Sequence, residues 1–241
     1  MRSIALINQT SDPSITTAIL TMIARAITRQ LCEDYAGVWQ SQGVPLVVCE
    51  KESEAPPDSV LMVIFDTADD PSFLGYHTVS PEGRPWSRIF WNVIRDSGGT
   101  LVTGDNSLSV TISHEALELL ESPYANAWND MGDLVGTEDA HELCDRVEGD
   151  SYKIDSVAVS NFLGPRAFRK GAGPYDFLGM QGDSRGLLSP FEIRPNGYAI
   201  RRVGGPRGDT FSVFGSKYPN AKKEMKLADG SKAARRGVQS K

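Results

Sequence analysis

The residues best suited to chemistry are clustered in Ser113-His114-Glu115-Ala116-Leu117-Glu118. Residues four apart on a helix share one face, so His114 and Glu118 can grip one divalent ion together. Glu115 sits beside them, placed to act as general base on water bound to that ion. A further ligand should arrive from later in the chain. Glu142 lies 24 residues after Glu118, inside His141-Glu142-Leu143-Cys144-Asp145, and Asp145 follows it by three. Asp139 and Glu148 are near enough to be alternatives. The bland account is a helix whose Glu115, Glu118 and Glu121 form a solvated face, with His114 hydrogen-bonded at its edge.

The spacing is that of the His-Glu-x-x-His metalloprotease helix, with Glu118 in the second ligand position. That exchange matters physically. Two carboxylates and one imidazole neutralise a divalent zinc and leave it a poorer Lewis acid, so its water is harder to deprotonate. Additional oxygen ligands also favour harder ions such as calcium or manganese. The motif therefore argues for metal binding more strongly than for turnover.

The elements that must position these residues follow from periodicity. Ser3 to Asn8 reads as a buried strand. Ser11-Asp12-Pro13 then supplies capping groups for a helix carrying Ile15, Ile19, Ile23, Ile27 and Leu31 at intervals of four. Val44 to Cys49 and Val60 to Phe65 are β-branched runs of the interior-strand type. Tyr76 to Val79 and Arg88 to Ile94 are expected strands, and Asp105-Asn106-Ser107 caps a helix from Leu108 to Leu120 that should stop before Pro123. Residues 124–150 read as acidic loop with a short helix near Glu138 to Cys144. Tyr152 to Ile154 and Val157 to Val159 suggest a hairpin. The Gly/Pro-dense stretch 164–189 reads as irregular, and Asn196-Gly197 is the expected turn of a hairpin joining 191–194 to 198–201.

Composition sets the outer bounds. A 40% hydrophobic, 23% charged chain is of ordinary globular type. No apolar run reaches the roughly 18 residues of a membrane span, and the N-terminal apolar stretch is too short for a signal peptide, so no membrane role is expected. Three scattered cysteines (Cys32, Cys49, Cys144) imply neither a disulfide framework nor a thiolate zinc site. The net charge of −6 is uneven: residues 217–241 hold eight Lys/Arg against Glu224 and Asp229, a local +6. Such a tail is expected to be mobile; a solubilising role is its simplest use, with nucleic-acid contact as an alternative. No phosphate loop, serine-nucleophile elbow or nucleic-acid motif is present. His77 can polarise a substrate or be a satisfied structural histidine, Tyr124 or Tyr152 can stabilise an oxyanion or be an ordinary hydrogen-bonded core tyrosine, and Trp86, Trp91 and Trp128 can line a groove or anchor a core.

Taken together, Leu74-Gly75-Tyr76-His77, Pro81-Glu82-Gly83-Arg84-Pro85, Ser109 to Glu118, Ser122-Pro123-Tyr124-Ala125-Asn126, Glu142 to Glu148 and Val159-Ser160-Asn161-Phe162 resemble a zincin-like family found in tailed bacteriophages and bacterial genomes. The likeness covers about residues 74–168. It implies a mixed sheet packed on an active-site helix, and it raises His114, Glu115, Glu118, Glu142 and Asp145 together, placing His141 below Glu142 as a ligand. The resulting expectation is an α+β fold: a zincin-like mixed β-sheet packed on a long N-terminal helix and an active-site helix, with a loop-rich C-terminal part. Its domains are 1–163, a packed excursion with hairpin at 164–216, and the basic tail 217–241. The expected ligands are His114, Glu118, Glu142 and Asp145, with zinc first among ions and calcium or manganese as alternatives. Two functions follow: a peptidase-like metallohydrolase acting on peptide or protein in the host cytoplasm, or a virion protein that retains the metal site and packs against other virion subunits.

Overall fold

The computed structural model describes residues 1–71 and 73–217. The basic tail expected at 217–241 therefore lies, apart from Lys217, outside the described residues. The fold is mixed α+β and separates into two compact units, Met1–Pro123 with Ser151–Ser160, and Tyr124–Asp150 with Asn161–Lys241. The acidic segment 124–150 thus groups with the C-terminal part of the chain, where the sequence placed it before a boundary at 163/164.

The first unit opens with β1 (Ser3–Asn8), then α1 (Thr17–Arg29), which continues through a π-helical turn at Gln30–Tyr35 into α2 (Ala36–Trp39). The strands β2 (Leu46–Cys49), β3 (Ser59–Phe65), β4 (Gly75–Val79) and β5 (Pro85–Phe90) follow, then the short α3 (Trp91–Asp96) and the long α4 (Leu108–Glu121). Two strands of the second unit, β6 (Trp128–Asp130) and β7 (Thr137–Ala140), precede β8 (Ser151–Ile154) and β9 (Val157–Ser160), the expected hairpin, which returns to the first unit.

One five-stranded sheet, in the order β2-β1-β3-β5-β4, organises the first unit. Its pairings are parallel except for β4, which runs antiparallel to β5 at the edge. Ile4, Ala5, Leu6 and Ile7 are all buried, as both faces of an interior parallel strand must be. Helix α1 packs on β2, and α4 packs on β4 and β5. Gly75 sets how closely α4 approaches: a Cβ there would lie 3.0 Å from the Arg88 carbonyl oxygen and 3.1 Å from Thr111 Cγ2 of α4.

Two expectations shift in this unit. Helix α1 is capped by Thr16, whose hydroxyl accepts from the Ile19 amide at 3.3 Å. Asp12 instead closes a turn of its own, accepting the Ser14 hydroxyl (2.6 Å) and the Trp91 indole N–H (2.6 Å). The strand expected over Arg88 to Ile94 stops at Phe90, because the last ladder partner on β3 is Phe65. With no strand left to pair, Trp91 onward turns helical.

The Asp12 turn carries a pH prediction. Donation from the Ser14 hydroxyl, then from the Trp91 indole, holds its carboxyl down at about 2 from an ordinary 3.8. A depressed folded-state value means stability that is complete above the unfolded value and lost as pH falls through the folded one. The Trp91 indole proton resonance should therefore titrate near pH 2, not near 4, and Asp12→Asn should flatten the acid limb of stability between those values. A Trp91 resonance unaffected by Asp12→Asn would refute this.

In the second unit, β10 (Tyr198–Val203) and β11 (Asp209–Phe214) join β6 and β7 in an antiparallel sheet ordered β11-β10-β7-β6. The short helix expected near Glu138 to Cys144 is strand over its first part. Opposite charges across the ladder explain it: Arg201 lies opposite Asp139 and Arg202 opposite Glu138, with contacts of 3.1 and 2.6 Å. The expected hairpin also moves. Asn196-Gly197 does turn, with the Gly197 amide on the Arg194 carbonyl, but Phe191 adopts φ +58° and the Arg194 amide binds Arg146. The preceding segment is thus diverted, and β10 pairs forward with β11 around Gly204 (φ +90°), a left-handed position that suits glycine. Residues 164–189 are largely irregular, as expected, with a 3-10 turn at Pro165–Phe168 and the brief α5 (Phe177–Met180).

Candidate metal centre

Helix α4 starts at Ser107, whose hydroxyl accepts from the Val110 amide, and ends before Pro123. It is enclosed on nearly every side. Ser109, Ser113, Glu115 and Glu118 are buried along with Leu108, Ile112, Leu117 and Leu119. Glu115 is 3% exposed and Glu118 0%, which removes the solvated-face account for these two residues. Glu121 takes the outer position and accepts the Tyr35 hydroxyl.

A buried polar network fixes the rotation of α4. The Ser113 hydroxyl donates to Gln30 Oε1 (2.6 Å) and accepts from the Ser160 amide (2.9 Å). Gln30 Nε2 donates to the Ser160 carbonyl (2.8 Å) and to the Tyr152 hydroxyl (3.1 Å), which in turn donates to Asp34 (2.6 Å). Burial raises the Asp34 carboxyl above its ordinary value, against the lowering effect of the Tyr152 hydroxyl. The π-helical turn carries Gln30 and Asp34, so that irregularity serves to hold the helix bearing His114. Tyr152 is thereby committed to structure and not to an oxyanion.

With α4 so held, His114 Nε2 lies 3.3 Å from Glu118 Oε1, the expected i, i+4 pair. The other oxygen of Glu118 faces a residue from the sheet. His77 on β4 is buried, with Nδ1 3.5 Å from Glu118 Oε2 and 3.5 Å from Glu115 Oε2. Strand alternation explains this: Tyr76 packs with Phe73 and Phe90 on one face, so His77 points from the other, where α4 lies. His77, Glu115 and Glu118 each offer a ligand atom, all within 4.8 Å of one another. The sequence supplied His77 only as a residue of uncertain use. Its available signal was position, directly after a core tyrosine on an edge strand.

The other expected ligands belong to the second unit. Glu142 and Asp145 are both buried there, and Asp145 accepts the Tyr198 hydroxyl. Asp139 is engaged by Arg146 and Arg201. His141 stacks on Phe168, ring centroids 4.4 Å apart, and its Nδ1 meets Asn129. Trp91 is anchored to Asp12, Trp128 lies under the Arg202 guanidinium, and Tyr124 is exposed. Among the described residues, no helix is long and apolar enough to cross a membrane. Comparison of the chain with protein-family models, curated proteins and solved structures gives no match to any of them.

Proposed function

We propose that this is a zincin-like metal-binding protein whose α4 holds a divalent ion, zinc first, through His114 and Glu118, in support of peptidase-like hydrolysis. The observation that carries this reading is the His114 Nε2–Glu118 Oε1 approach of 3.3 Å on a helix packed against the edge of a mixed sheet. The donors fit such an ion: imidazole nitrogen and carboxylate oxygen are ordinary zinc ligands, and an ion would neutralise a carboxylate that is otherwise fully enclosed. The ion supplies a polarised, more acidic water. Glu115, the next residue after His114, is the candidate to take the proton from it.

The burial of Glu115 and Glu118 favours a second reading, a virion structural protein with a closed, purely structural ion. One pair of measurements separates them. Elemental analysis should find bound metal in the wild type and less in His114→Ala. Hydrolysis of a generic peptide substrate should then fall by about 10²–10⁴ in Glu115→Gln, the usual cost of removing a general base. Stoichiometric metal with no Glu115-dependent turnover would overturn the hydrolase and leave the structural protein.

A further inference from the structure

Glu118 has two oxygens, and they face different partners. Oε1 looks to His114; Oε2 looks to His77 across the gap between α4 and β4. We propose that His77 Nδ1, Glu115 Oε2 and Glu118 Oε2 form a cation site of their own, closed and zinc-type, on the β4 side of Glu118. This inference rests on the metal-binding reading of α4 and adds a ligand set that the helix motif does not contain.

Geometry supports it first. The two 3.5 Å separations from His77 are long for hydrogen bonds between imidazole and carboxylate, which settle near 2.7–2.9 Å when charge-assisted. They match the edge of a tetrahedron around an ion with bonds of about 2.0–2.2 Å, which is about 3.3–3.6 Å. The three donor atoms, all within 4.8 Å of one another, are spaced as co-ligands of one ion.

Charge supports it next. Glu115 Oε2 is buried and accepts no hydrogen bond among the described residues, and no Lys or Arg there pairs with Glu115. An ionised carboxylate in that state is costly to enclose. Around the His77-side ion taken alone, two carboxylates and a neutral imidazole balance the divalent charge, which suits residues exposed by 3% or less; an ion held at the same time by His114 shares the Glu118 charge. With Oε2 on this ion, Glu115 still has Oε1 for the role proposed above.

The full chain should be stripped with chelator, reloaded with zinc alone, and measured by elemental analysis and native mass spectrometry. His77→Ala should bind one equivalent less zinc than the wild type, and His114→Ala should keep the His77-side ion. Cobalt substitution should give tetrahedral-type visible absorption that His77→Ala diminishes. Should His77→Ala fail to fold, Glu115→Gln, nearly isosteric, must show the same one-equivalent loss. Zinc content unchanged in these variants, or no zinc in the wild type, overturns the proposal. Loss in His77→Ala with none in His114→Ala sustains it and removes the His114 site instead.

Discussion

Glu118→Ala should abolish divalent-ion binding by α4 altogether, a larger effect than any other single change in the cluster. Its side chain is wholly enclosed, and its two oxygens serve His114 on one side and His77 on the other. Loss of either histidine leaves Glu118 with the opposite one; loss of Glu118 takes a ligand from both sides and leaves only His77 with Glu115. A ligand at a thousand times its dissociation constant stabilises a fold by about 4 kcal/mol. In a chain of 241 residues that corresponds to roughly 8–16 °C in the melting temperature, so zinc should raise the wild-type midpoint by that order and leave Glu118→Ala unmoved. A variant that still responds to zinc as the wild type does would show that α4 is not the binding element.

The second large effect belongs to Arg146, in the second unit. Its guanidinium is fully buried beneath the Phe168 ring (4.7 Å) and near the Phe191 ring (5.5 Å), with Nη2 donating to the Ala167 carbonyl. Nε lies 3.4 Å from Asp139 Oδ2, and Arg201 holds the other oxygen at 3.1 Å. Burial lowers the Arg146 pKa, opposed by the Asp139 charge. Arg146→Ala removes one of two cations from a buried carboxylate and opens a cavity against two rings. Breaking such a pair costs about 3–5 kcal/mol. Chemical denaturation monitored by circular dichroism should show a loss of that size, with Arg146→Met milder because it refills the space between the rings. A loss below about 1 kcal/mol for the alanine variant would mean the ion pair is dispensable.

Elements set by local signals form where those signals lie. The period of isoleucines in α1, the β-branched runs of β2 and β3 and the Ser107 cap of α4 each act within a few residues, so their signals survive in one dimension. Where an element depended on a distant partner, the sequence misled. Residues 137–140 became strand because Arg201 and Arg202 lie across from Asp139 and Glu138, more than 60 positions away. The 198–203 strand chose its forward neighbour because Phe191 and Arg194 were already diverted toward other contacts.

The site divides in the same way. That His114 and Glu118 share a helix face is legible in one dimension, because a spacing of four is a property of the helix alone. That the face is sealed follows from long-range packing, since Glu115, Glu118 and Glu121 at their spacing suit a solvated surface as readily as a core. Packing of α4 on β4 and β5, and its tether through Ser113 to Gln30, put the first two inside and left Glu121 toward the rim. His77 joined them for a reason no spacing could show: it lies 37 residues before His114, and strand alternation turned it toward the helix when Tyr76 took the other face.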